Sequence, residues 1–211
     1  MTELATPDDP EDLWLAADVV DVPQHRMLMQ GDLIEVEFGP VCIVSHACSM
    51  RRGPQLHDTQ IVAPVGDHLV NDWRGSYDWM PLTGAQVSGL ENPAACLREL
   101  RSESTTSLRA GKRIAVMADA GIHLLQQRMA CHLTRVIIDV AEFAEQSAPV
   151  LAEAELHEQW LSDLGEECEP QFHQLLEGDH RKLRRWLNES RTRPQAMRAV
   201  REEILRLKDQ P

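Results

Sequence analysis

Residues 41–58, "VCIVSHACSMRRGPQLHD", hold Ser45, His46, Cys48, Arg51, Arg52 and His57 in the densest run of reactive side chains in the chain. Three chemistries suit them. A hydroxyl or thiol beside an imidazole is how a covalent nucleophile and its base are arranged, and the nearby arginines would favour the Cys48 thiolate. No glycine cluster follows that would supply oxyanion donors, and residues two apart share a face only while a strand continues. His46 and Cys48, with His57 nine residues on, give at most three ligands to a zinc ion that wants four, and the fourth would have to come from Asp58 or His68. No metal or cofactor is therefore expected. "MRRG" is a compact cationic turn, and Arg suits bidentate phosphate recognition. Trp73, Arg74, Tyr77 and Trp79 in the next loop could stack on exposed bases of RNA, or fill the core instead. Ser45, His46, Cys48, Arg51, Arg52 and His57 are the candidate catalytic residues.

These residues need elements to position them. "GDLIEVEF" alternates Ile34, Val36 and Phe38 on one face with Leu33, Glu35 and Glu37 on the other, the period of a half-buried strand. Gly39 and Pro40 interrupt it and "VCIVS" resumes, so the two segments read as a β-hairpin. "TQIVAPV" is a third strand, with Pro64 restricting it to an edge or an end. A further strand is expected over residues 77–82, "PAACLREL" reads equally as strand or helical turn, and "KRIAVM" is a late strand. The period then changes. Ile122, Leu125, Met129, Leu133 and Val136 form the apolar stripe of an amphipathic helix, with Asp119 as its N-cap. His123 and His132, nine apart on that helix, fall on different faces and read as unremarkable. Beyond Pro149 the pattern is helical, with breaks near Gly165, Pro170, Gly178 and Pro194.

The composition fits a domain with a helical appendage: 211 residues, of which 43% are hydrophobic. Five cysteines without a CxxC pair read as free thiols rather than a disulfide framework. No run of about 18 apolar residues occurs, and "MTELATPDDPEDLW" has neither a basic nor an apolar leader, so a cytoplasmic protein without membrane contact is expected. The net charge of −13 argues against broad nucleic-acid binding, which rests on neutralising phosphates. Residues 150–177 carry eight acids and no Lys or Arg, whereas 178–211 carry ten Lys or Arg against five acids. Either the tail is a basic arm for an acidic partner, or two helices of opposite sign pack on each other.

The order of parts over residues 29–136 resembles the PemK/MazF-like toxins and related SH3-like barrels. The resemblance is carried by Gly31 and Asp32 opening "QGDLIEVEFGPVCIVS", by Phe38, Gly39 and Pro40, by Ser45 at the end of the apolar strand, and by the late strand and helix over 97–136. It implies metal-free cleavage of RNA, with an Arg between the first two strands and a Thr after the third, and a dimer neutralised by an antitoxin peptide. Here Gly39-Pro40 brings no Arg, and "IVAPVGD" has Val65 and Gly66 where the Thr would stand, so neither catalytic position is matched. The chain is similar, more closely, to a group of bacterial proteins that share "VSHACSMR", a strand ending in "APV" and a counterpart of "YDWMPL". That likeness implies architecture and a site of interest but no reaction.

The expected fold class is α+β: a small, partly open SH3-like β-barrel with a long helix over residues 19–148, after an acidic, poorly ordered lead-in (1–18) and before a helical C-terminal extension (149–211). The function expected is a non-catalytic interaction module resembling a degenerate toxin barrel, a component of a bacterial toxin–antitoxin or defence system. It would engage a protein partner through its helical C-terminal region, or self-associate. The alternative is an endoribonuclease or a phosphate- or nucleic-acid-binding enzyme using residues 45–57, with RNA held by Arg51 and Arg52.

Overall fold

The computed structural model describes residues 3–22, 27–52, 55–148 and 151–152, with positions 195, 198, 202 and 206. Along it lie β1 (Trp14–Ala16), β2 (Asp32–Val36), β3 (Gly39–Ile43), α1 (Ala47–Met50), β4 (Arg51–Arg52), β5 (Gln55–Leu56), β6 (Thr59–Asp67), β7 (Trp79–Pro81), β8 (Pro93–Cys96), β9 (Arg101–Ser104), α2 (Thr105–Ala110), β10 (Lys112–Met117) and α3 (Asp119–Thr134). The chain divides into two compact units, one of residues 1–22, 28–50 and 57–147, the other of residues 23–27, 51–56 and 148–211. The expected helical extension lies outside the described residues, apart from 151–152 and four isolated helical positions. No helix among the described residues is long and apolar enough to cross a membrane.

The first unit is α+β. Its strands run β1-β10-β2-β3-β6-β8-β7 in one curled antiparallel sheet, with β9 paired to the start of β6. The expected hairpin is present, paired from Leu33↔Cys42 to Val36↔Gly39. Glu37 and Phe38 make its turn without positive φ, and Gly39 (φ 104) supplies the left-handed residue that such a connection requires. Phe38 is thus at the turn tip, 77% exposed, not on the core face that alternation suggested. Leu33, expected to face outward, is fully buried, because the sheet curls and α2 packs against β2.

β6 is a central strand that nonetheless contains Pro64. Ile61 turns its N–H and its carbonyl toward the β3 side, where they meet Ser45 and Val44. Pro64, three residues on, faces the opposite edge. There a 3-10 turn, Leu97–Glu99, separates β8 from β9, so that six residues lie between Ala95 and Arg101 where three lie between their partners Val65 and Val62. The missing N–H of Pro64 falls at that interruption of the ladder, which is why no edge position is needed.

The lead-in expected over residues 1–18 is built into the sheet. A 3-10 turn, Pro10–Leu13, buries Leu13 completely and leads into β1, which pairs with β10. Gly121 of α3 lies so close that a Cβ there would stand 2.5 Å from the Leu13 carbonyl oxygen. Past β7 the chain returns to β1: Gln86 N–H donates to the Ala17 carbonyl at 2.9 Å and Trp14 Nε1 to that of Thr83 at 2.8 Å. These bonds, not a strand ladder, link the two ends of the sheet.

Two expectations about α3 are corrected. Its N-cap is Ala118, with Asp119 as the first helical residue, where a carboxylate still favours the positive end of the helix dipole. Ile122 and Leu125 are buried, but Leu133 and Val136 are exposed, because only the first half of the helix runs through the core and Arg135 (φ 59) ends it.

Asp32, fully buried, accepts the Met29 N–H at 3.0 Å and meets Arg113 of β10 at 3.1 Å. Asp32→Asn leaves the Arg113 charge without its carboxylate and should cost about 3 kcal/mol. Phe38→Ser, at the exposed turn, should stay within about 0.5 kcal/mol. Urea unfolding at constant slope measures both, and equal effects would refute the assignment.

Candidate functional site

Residues 45–57 leave the sheet at the end of β3, and the first polar group is used at once for backbone pairing. The Val44 and Ser45 N–H groups both donate to the Ile61 carbonyl, at 3.0 and 3.2 Å, and the Ser45 hydroxyl accepts the Ile61 N–H at 2.7 Å. The hydroxyl thus stands in for a strand carbonyl, and a nucleophile so engaged has no base. The His46 carbonyl accepts from Ser49 N–H (2.8 Å), Met50 N–H (3.1 Å) and the Ser49 hydroxyl (2.8 Å), starting the single turn of α1, on which Cys48 lies. The half-buried His46 ring has its pKa lowered by burial.

The loop is closed at its neck by Gln60. Its side-chain amide, 2% exposed, reaches the Met50 carbonyl at 3.0 Å and the His57 carbonyl at 3.2 Å, and the Thr105 hydroxyl donates to the same His57 carbonyl. The His57 N–H donates to Met50 across the neck at 2.8 Å. The His57 ring itself is exposed and makes no hydrogen bond with Ser45. Arg51 and Arg52 belong to the second unit, paired with Leu56 and Gln55, and Arg51 Nη1 stands 3.5 Å from Met27 Sδ. Ser45, His46 and His57 therefore do not converge as nucleophile and base. Among the described residues no three His, Cys, Asp or Glu side chains are grouped as a metal would require. Cys42, Cys96 and Cys131 are buried free thiols, and burial together with the Asp32 carboxylate pushes the Cys42 thiol far up.

The aromatic loop divides between core and surface. Trp79 stacks on His68 with ring centroids 4.1 Å apart, the Arg128 guanidinium lies 5.0 Å from the Trp73 ring, and that of Arg135 lies 4.1 Å over Tyr77. Each ring has a face already covered by a partner from this chain. Arg74, the cation expected beside them, pairs with Glu3 at 3.2 Å.

The sequence reading missed the polar groups of α3. His123, Gln126, Gln127 and Arg128 are all buried. Gln126 donates to Gln30, which donates to the Val44 carbonyl at the root of the reactive loop. Arg128, without any exposure, donates to the carbonyls of Ala5 and Trp73 and has no carboxylate partner, so burial lowers its pKa to about 10. At the far end His132 Nδ1 lies 2.9 Å from Asp78 Oδ1, and Asp78 Oδ2 lies 3.8 Å from Arg98. A polar "HLLQQR" inside an otherwise apolar helix was the available signal. No protein-family model matches this chain, and no curated protein matches it.

Burial lowers the pKa of His46 and of His123 below the ordinary 6.5. Above that pH neither changes charge on unfolding. As pH falls through it, the unfolded chain binds protons that the folded chain resists, so stability is lost. The thermal midpoint should decline below about pH 6.5, and a His46→Gln, His123→Gln double variant should decline less. An equal decline in both proteins would reject this origin.

Proposed function

We propose that this chain is a non-catalytic interaction module, a degenerate relative of the PemK/MazF-like barrels working in a bacterial toxin–antitoxin or defence system in the cytoplasm. The reading assigns the curled sheet to the SH3-like class and gives the helical C-terminal region the protein partner. One observation carries it: the Ser45 hydroxyl, the nucleophile of the reactive loop, is bonded to the Ile61 N–H at 2.7 Å as part of the sheet. The Gln60 and Thr105 bonds at the loop neck support it further, because they turn the segment into a structural excursion rather than a set of groups facing a substrate. Metal-free RNA cleavage needs a base for the 2′-hydroxyl and a cation for the phosphate. The absent toxin Arg and Thr leave both roles unfilled at the positions where the resemblance would put them.

The test is incubation of the protein at high concentration with a long single-stranded RNA, with and without chelator, beside a His46→Ala, His57→Ala double variant. Intact RNA throughout is the expected result. Cleavage that the double variant loses would overturn the reading and establish the endoribonuclease alternative. Truncation after Glu177 tests the tail: a partner arm should leave the thermal midpoint of the remainder unchanged, whereas a large drop would assign the basic tail to internal packing.

A further inference from the structure

Asp78, Arg98, His132 and Arg135 stand apart from the reactive loop, and each is placed by backbone. The Asp78 carbonyl accepts the Leu97 N–H at 2.9 Å, so the start of β7 and the 3-10 turn that carries Arg98 are joined directly. That turn is the three-residue insertion between β8 and β9, and such interruptions of a ladder serve to redirect a side chain. His132 and Arg135 lie three residues apart at the end of α3, a spacing that puts both on one side of the helix. Arg135 closes the helix in the left-handed conformation that Gly or Asn usually takes, its N–H donating to the Cys131 carbonyl at 2.8 Å.

The side chains then present donors without acceptors. Asp78 Oδ1 holds His132 Nδ1 at 2.9 Å, which fixes the ring, and Nε2 has no protein partner and is not enclosed. Arg98 Nη1 stands 3.8 Å from Asp78 Oδ2, close enough for attraction but beyond hydrogen-bond length, and the side chain is 69% exposed. The Arg135 guanidinium lies flat over Tyr77 at 4.1 Å, the neighbour of Asp78 in sequence, with its edge N–H groups unbonded. One carboxylate is thus surrounded by three side chains able to carry positive charge, in a chain whose net charge is −13. Metal binding would need lone pairs here, and the cluster offers N–H groups.

We propose that Arg98, His132 and Arg135 form a binding site for a phosphate group, with Asp78 and Tyr77 as positioning residues. Three donor side chains reach it from two elements, the 3-10 turn and the end of α3. A tetrahedral oxyanion has enough acceptor oxygens for all three, whereas a carboxylate has two. Asp78 orients the imidazole, and the Tyr77 ring keeps the Arg135 guanidinium from collapsing onto Asp78. The site is independent of the interaction-module reading, since none of its residues belongs to the loop of residues 45–57.

The test is calorimetric titration of the full chain with inorganic phosphate, referenced to chloride at equal ionic strength. Saturable binding is expected, weakened by about tenfold or more in an Arg98→Gln, Arg135→Gln double variant. Both side chains are exposed, so the fold should survive, and circular dichroism checks this. Arg109→Gln, an exposed arginine on α2, should bind as the unaltered chain does. His132→Gln should weaken binding as well. Adenosine 5′-monophosphate and phosphoserine, with adenosine as the blank, identify the source: tighter binding of either names a nucleotide or a phosphorylated peptide, and equal binding names free phosphate, each in support of the site. No saturable binding beyond the chloride reference, or equal affinity in the double variant, overturns it.

Discussion

Asp32 is a carboxylate without exposure to water at the head of β2, and the arrangement of the sheet depends on compensating its charge. Removing such a group from water costs several kcal/mol unless partners replace the hydration. The Met29 N–H supplies one and the Arg113 guanidinium the other, which ties the chain before β2 to β10. The register of β10 shifts between Arg113 and Ala115, with Arg113 opposite Ile34 and Val116 opposite Asp32. Breaking the pair would leave an arginine at 14% exposure and a carboxylate at 0%, the costly outcome that holds the two strands in one register.

A second buried charge is handled differently. Arg128 has no carboxylate and is held by two backbone carbonyls and the Trp73 ring. Its partners are the lead-in at Ala5 and the aromatic loop at Trp73, so one helix side chain gathers two segments that have no ladder of their own. Gln127 adds to this by accepting the Ala5 N–H at 2.7 Å and donating to the Ile138 carbonyl at 2.7 Å. The same helix thereby organises a polar interior in its first half and an exposed cationic end in its second.

The hairpin, β6, β7, β10 and α3 were all legible, because period-two and period-3.6 patterns survive wherever one face is buried. The errors have local causes. Alternation placed Phe38 in the core because it ignored the turn that Gly39 imposes. Pro64 was assigned to an edge because the interruption opposite it, at Leu97–Glu99, is set by a segment thirty residues away. Leu133 and Val136 completed a stripe on paper, but the helix had already left the core.

By itself the sequence determined the antiparallel α+β character of the first unit, the hairpin at 32–43 and the helix from 119, since these follow from side-chain periodicity and local turn chemistry. It also displayed the reactive residues 45–57. Only the tertiary structure decided what they do: a hydroxyl beside a histidine reads as a nucleophile until the Ile61 N–H, sixteen residues on, is found to occupy it. Conversely, Asp78 and His132 are 54 residues apart and form a pair only because β7 and α3 meet. Hydrogen bonds depend on distance and direction in space, and neither is fixed by the spacing of residues along a chain.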